Sequence, residues 1–386
     1  MSASSELLRP APAALLSLVL AFACAAEPAA EAPLAPAPGS PFPAGREPGH
    51  LSAGDLDGDG DLDLVIADSG GAGALVALLG DGRGGFAGPR PVPLPAGPPP
   101  GLEAVGDVDG DGRLDAAVTS HDSNGIVVMR GDGAGGFSPV PGSPFPSGAP
   151  EPPHNHGLAL ADLDGDGDPD LVAANHEHST VSVLLGDGRG GFAPAPGSPV
   201  PAGPDPYPFA VGDLDGDGRP DLAIPDLRGE RVTLLRGDGR GGFAPFPGSP
   251  LAAPERPFHM TLADLDGSGS LDLVVSHDDS DRLSIWLGDG KGGFRGAPAV
   301  ETGSGAWRVA AADFDGDGTV DLATGTREHR VQLLLGRGDG TFRRGPTLAA
   351  GRGPWFVTAA DLDRDGRADL LALGSEDGTV SVWLQR

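Results

Sequence analysis

The chain has 386 residues, with 55 acidic side chains against 26 basic ones and a formal charge of −29. A surface that acidic, with Lys291 as its single lysine, does not grip phosphate backbones, which call for clustered Lys and Arg. The single cysteine excludes a disulfide framework and any thiolate metal site, and the abundance of Gly (65) and Pro (41) points to low complexity unless a period organises it.

Residues 1–23 read as an export signal. Arg9, offset by Glu6, precedes an apolar run from Ala13 to Ala23 that is too short for a bilayer span but suits a signal peptide. Cys24 follows directly after Ala23, which resembles the lipobox of bacterial lipoproteins, where the cysteine is lipidated and becomes the new N-terminus. Ala21 and Phe22 stand where Leu and a small residue are usual, so plain secretion after cleavage behind Ala21-Phe22-Ala23 stays open. Residues 24–34 are Pro/Ala-rich and read as a tether. Either way the expectation is an exported protein: a periplasmic or surface lipoprotein, or a secreted one.

From residue 35 onward a repeat governs the chain. The pattern D-x-D-x-[DS]-G-x-x-D begins at Asp55, Asp107, Asp162, Asp213, Asp264, Asp313 and Asp361, at spacings of 52, 55, 51, 51, 49 and 48. Length alone suggests two or three domains, but seven such units leave no room for a second one. Each unit has a short apolar stretch, the acidic loop, an apolar run such as Leu171-Val-Ala-Ala174, a polar loop, and a third run such as Val181–Leu185. A G-D-G-x-G-G-F turn and a Pro-interrupted fourth segment complete it. Runs of four to six residues between Gly clusters are strands. Four strands repeated seven times predict an all-β fold, a seven-bladed β-propeller over 35–386. The seventh unit stops after its third strand, Val380–Leu384. Ala35–Gly45 nearly repeats Ala193–Gly203, which is fourth-strand material. The N-terminal strand is therefore predicted to complete the last blade and close the ring.

The loops concentrate carboxylates at positions 1, 3, 5 and 9. These are Asp55, Asp57, Asp59 and Asp63 in the first loop, then Asp107, Asp109, Asp111 and Asp115, then Asp162, Asp164, Asp166 and Asp170. The fourth has Asp213, Asp215, Asp217 and Asp221, and the fifth Asp264, Asp266, Ser268 and Asp272. The last two have Asp313, Asp315, Asp317 and Asp321, and Asp361, Asp363, Asp365 and Asp369. Four like charges in nine residues repel unless a cation sits among them, and an all-oxygen set suits Ca²⁺. Position 7 varies freely (Asp61, Arg113, Asp168, Arg219, Ser270, Thr319, Arg367), so its backbone carbonyl is the expected donor. Position 12, Glu in an EF-hand, falls in a strand here, as at Ile66 and Val118. A hydrogen-bonded Asx turn without metal accounts for one such loop better than for seven.

Together with the strand grammar and Phe294-Arg-Gly-Ala-Pro298, these loops resemble FG-GAP/VCBS-type repeats, bacterial relatives of the N-terminal propeller of integrin α subunits. The resemblance implies that each loop joins strands 1 and 2 of its blade. It also implies up to seven structural calcium ions, bound through positions 1, 3, 5 and 9 and the carbonyl of position 7. Ser268 implies weaker binding in the fifth loop, and Arg364 stands at position 4 of the seventh, which is not a ligand position. Twenty-seven of the 55 acids are Asp at these positions, and the remaining 28 nearly balance the 26 bases. The acidity is thus the expected ligand count of the loops.

In propellers of this type the opposite face carries the 2–3 loops and 4–1 crossings. There the nine histidines are expected: His50, His154, His156 and His259 before first strands, and His121, His176, His178, His277 and His329 in 2–3 loops. Six residues before the first loop Asp, units 3 to 7 carry His156, Tyr207, Phe258, Trp307 and Trp355. Such rings suit a sugar or peptide ligand at a channel mouth, or a plain plug. The pairs His154/His156 and His176/His178 have a spacing at which imidazoles converge on Zn²⁺ or Cu²⁺, a candidate second metal site on blade 3. Arg337-Gly-Asp339 is a shifted copy of the Gly-rich turn.

No catalytic set emerges: there is no Cys nucleophile, phosphate loop or G-x-S-x-G elbow. The first reading is a binding or adhesion module for a glycan or protein. Propellers of this family also host polysaccharide lyases, so a lyase or hydrolase using His156, His259 and Arg308 stays open, as does a purely structural surface protein. The chain reads as a monomer, without a nucleic-acid partner and touching membrane only through a lipid on Cys24.

Overall fold

Apolar runs that do not alternate mark strands buried on both faces, and here they form the second strand of every blade. These strands are Asp63–Asp68, Asp115–Ser120, Asp170–Asn175, Asp221–Asp226, Asp272–His277, Asp321–Thr326 and Asp369–Gly374, buried along their whole length. The computed structural model describes residues 33–386 except 96–98, 121–122, 149–154, 254 and 279. In it each second strand lies antiparallel between a first and a third strand, and the described residues form seven sheets. The first strands are Pro48–Gly54, Pro100–Gly106, Asn155–Ala161, Ala210–Gly212, Pro257–Ala263, Val309–Ala312 and Pro354–Ala360. In blade 4 this strand is short, since Pro206 and Pro208 carry no N–H to donate.

The core is divided among the blade interfaces. Leu64 and Ile66 pack with Phe356 and Leu371 of blade 7, while Val65, between them, packs with Ala116 and Met129 of blade 2. Side chains of one strand alternate between the two flanking blades, and the described residues form seven such apolar clusters. The ring closes as expected. Leu34–Pro36 and Phe42–Pro43 both pair antiparallel with the last strand, Thr379–Gln385, with Ala35 opposite Leu384 and Phe42 opposite Val380. This strand begins at Leu34, one residue earlier than the sequence suggested.

The Pro-interrupted fourth segments are mostly two short strands rather than one. At the break, the Ser of a G-S-P turn accepts the third-strand N–H: Ser40 from Val382, Ser143 from Val128, Ser198 from Val183 and Ser249 from Leu234, at 2.8–2.9 Å. The hydroxyl substitutes for a missing ladder carbonyl, and the prolines blunt an exposed outer edge. One central cavity is lined by first-strand residues of six blades, from His50 to Phe356, and by Pro208 and Phe209 just before the first strand of blade 4, so these strands are the innermost.

Candidate metal loops and channel mouth

Each acidic loop is wound around its first carboxylate. In loop 1, Asp55 Oδ1 accepts the Gly58 N–H at 2.7 Å and its Oδ2 the Gly60 N–H at 2.9 Å. Gly60 has φ of +85°, and the position-6 glycine is left-handed in every loop, as the sharp turn requires. The ninth residue has a second task. Asp63 Oδ2 accepts the Leu56 N–H and Oδ1 the Gly80 N–H, both at 2.7 Å, so this carboxylate ties the loop to the end of the third strand. Equivalent pairs hold Asp115, Asp170, Asp221, Asp272, Asp321 and Asp369. Burial pushes Asp170, Asp221, Asp321 and Asp369 up to about 6 against the pull of these two bonds, and the carboxylates at positions 3 and 5 add to the rise.

A metal fits the donor set. In at least five loops the carboxylates of positions 1, 3 and 9, such as Asp55, Asp57 and Asp63, present oxygens within 4.8 Å of one another. Each carboxylate oxygen has two lone pairs, so one that accepts an N–H still has capacity for a cation. Hard oxygens alone suit Ca²⁺ or Mg²⁺. Position 5 instead holds the turn: Asp59 Oδ1 accepts the Asp61 N–H at 2.8 Å.

Several arginines at the loops escaped sequence reasoning. Arg236 pairs with Asp215 at 2.7 Å and Asp217 at 2.8 Å, and Arg130 pairs with Asp109. Both stand at a third-strand end where the other blades carry Leu79, Leu185, Leu287, Leu335 and Leu384, and that break in the repeat was the available signal. Position 7 is not idle either. Arg113 and Arg219 lie 3.8 and 3.7 Å from Asp111 and Asp217. Arg367 pairs with Asp365. In the Gly-rich turn, Asp339 accepts the Thr341 N–H at 2.9 Å, so Arg337-Gly-Asp339 is a turn.

At the opposite end of the channel the five rings form an arc. His156 stacks on Tyr207 (4.5 Å, 28°), Tyr207 meets Phe258 at 4.9 Å, Phe258 meets Trp355 at 5.3 Å, and Trp355 meets Trp307 at 4.3 Å. Blades 1 and 2 carry Gly49 and Gly101 instead, and a cavity of about 350 Å³ opens there, lined also by Tyr207, Trp355 and Arg308. One residue deeper the layer is His50, Leu102, Gly157, Pro208, His259, Arg308 and Phe356. His50, His156 and His259 lie within their first strands rather than before them. His50 Nδ1 sits 2.9 Å from Glu103 Oε1, which also accepts from Ser52 Oγ at 3.3 Å. Burial, and next the Arg308 charge, push His259 well below the usual imidazole range. Burial lowers Arg308 to about 10.

Of the blade 3 histidines, His176 and His178 form a single tight turn, and His176 packs edge-on against His156 with centroids 4.7 Å apart. Asp205 lies 3.9 Å from His176 Nε2. His277 ends a second strand with Nε2 2.7 Å from Ser284 Oγ, and His329 Nδ1 accepts the Gly353 N–H at 3.0 Å. His121, His154, Cys24 and the expected signal segment lie outside the described residues.

Fold and loops together define a β-propeller built from acidic-loop repeats. The family described as FG-GAP-like repeat matches residues 55–118, 107–173, 162–224, 264–324 and 313–372, more than half of the sequence, and the chain belongs to that family. No curated protein matches the sequence. Similar solved structures include BBS1N, described in complex with ARL6DN and soaked with lead (TM-score 0.65, 15% identity, 92% of this chain and 98% of that one). Another is an Agrocybe aegerita lectin described as recognising non-reducing terminal N-acetylglucosamine (TM-score 0.55, 21% identity, 86% and 84% covered). A third is a Lactobacillus plantarum protein (TM-score 0.59, 15% identity, 78% and 85%). At these identities the likeness is one of fold.

Proposed function

We propose that the protein is an exported propeller, stabilised by calcium in its Asp loops, that binds a glycan through the face opposite those loops. The observation that carries the reading is the arc from His156 through Tyr207 and Phe258 to Trp355 and Trp307, open at Gly49 and Gly101. Five ring-bearing residues converge there in a chain that is only 5% aromatic. Aromatic faces with polar neighbours suit the apolar faces of sugar rings. The lectin among the similar structures supports the reading at the level of fold. The apolar run before Cys24 supports export, with a lipid on that cysteine holding the propeller at a membrane surface.

The test is binding to a glycan array by the calcium-loaded protein. Binding should be lost in Trp355→Ala and Trp307→Ala at unchanged calcium content and circular dichroism; equal binding by these variants sinks the reading. A second reading, a polysaccharide lyase or hydrolase, draws on His259, half-buried beside Arg308 in the channel. It requires turnover of an acidic polysaccharide that disappears in His259→Ala.

A further inference from the structure

Arg308 is 7% exposed, yet among the described residues its guanidinium has no ion pair and its Nε has no hydrogen-bond partner. Its contact is the Phe356 ring, 5.1 Å from the guanidinium carbon. An aromatic face offsets only part of the cost of withdrawing a cation from water. Glu103 attracts the guanidinium only at a distance and makes no ion pair with it. Its Oε1 is engaged by His50 and Ser52, and its Oε2 is buried without a partner. The channel thus holds an unmatched donor and an unmatched acceptor, both buried.

Position makes this a site. Arg308 lines both the mouth cavity of about 350 Å³ and the channel cavity of about 310 Å³ beneath it, so a group entering past Gly49 and Gly101 meets the guanidinium. The volumes fall at the small end of ligand pockets. A guanidinium fork matches a carboxylate with two parallel bonds, and such a bond strengthens where little water competes.

We propose that Arg308 anchors a carboxylate, and that the ligand of this face is a glycan bearing a carboxylated sugar, whose ring rests against Tyr207 and Trp355. The inference rests on the glycan reading above and names its charge. The rings favour a sugar over a peptide C-terminus, which offers the same carboxylate without a flat apolar face.

Two measurements test it. The first needs no ligand: Arg308→Met keeps the aliphatic bulk and removes the unmatched charge, so this variant should melt above the wild type by about a degree or more. A variant that melts lower, or fails to fold, overturns the inference, because Arg308 is then needed by the fold. The second is an array of carboxylated oligosaccharides, their methyl esters and carboxyl-terminal peptides. The wild type should bind the carboxylated sugars over the esters, and Arg308→Met should lose more than about tenfold of that affinity. Equal binding of acids and esters overturns the carboxylate anchor and leaves the glycan reading standing. Binding to peptides alone, or to nothing on the array, overturns both.

Discussion

The Arg364 guanidinium reaches across the seam between the last and first blades, 2.7 Å from the Asp61 carboxylate and 3.2 Å from the Asp59 carbonyl. It does so from a left-handed backbone, φ 60°, at a position where the other six loops carry Gly. The ring is therefore fastened on this face by a contact that opposes the local backbone preference.

Two substitutions separate these opposing terms. Arg364→Ala loses the seam contact and keeps the unfavourable φ, so it should destabilise by about 1 kcal/mol. Arg364→Gly loses the same contact but relieves the backbone, and should unfold within about 0.5 kcal/mol of the wild type. Denaturant melts of both variants decide it. Equal destabilisation by Ala and Gly means that φ at this position is unstrained.

The ninth carboxylate is a staple as well as a candidate ligand. Asp170→Ala strands the N–H groups of Leu163 and Gly186, bonded at 2.7 and 2.8 Å, and should cost about 2–5 kcal/mol even without metal. Asp166→Ala, at exposed position 5, should cost well under 1 kcal/mol in the same metal-free protein. Unfolding in a chelator compares them directly. Similar losses for the two variants would falsify the staple.

What the sequence made legible was whatever repeats. Loop spacing, strand grammar and the missing fourth strand each recur in phase, and closure by Leu34–Pro43 follows from matching one copy to another. What stayed hidden was each departure from the repeat. Arg364 read as a neutral exception at a non-ligand position, whereas its role depends on a loop 305 residues away in sequence. The double bonding of Asp63 to Leu56 and Gly80 was invisible because a staple and a ligand need the same carboxylate at the same spacing. The alignment of Tyr207, Phe258 and Trp355 could be read from the register, but the missing partner of Arg308 could not, since a lone charge shows only once its surroundings are counted.

Calcium removal should lower the melting temperature of the whole propeller, since each loop then confronts its own carboxylates. Re-addition of Ca²⁺ should restore it and Mg²⁺ should do less, because the smaller ion tolerates the loop geometry poorly. In the fifth loop Ser268 Oγ accepts the Ser270 N–H at 3.2 Å, where the other loops use a carboxylate. Ser268→Asp should therefore add one tight site to the calorimetric titration. An unchanged melting temperature after chelation would remove the calcium account altogether.

The buried ninth carboxylates also set a pH dependence for the metal-free protein. Asp170, Asp221, Asp321 and Asp369 titrate at about 6 when folded, against 3.8 for a free side chain, chiefly because burial disfavours the charged form. Between those values the folded state holds protons that the unfolded chain has released. Stability contributed by these groups is therefore full below about 4, falls as pH rises toward 6, and is lost above it. Calcium takes the ionised form, so its binding opposes the trend and weakens as pH falls below 6. Protein stripped of metal by dialysis should melt higher at pH 4.5 than at pH 6.5, and the increment produced by added Ca²⁺ should be larger at pH 6.5. A metal-free melting temperature that rises between those two values would mean that the hydrogen bonds to Leu163 and its counterparts outweigh burial.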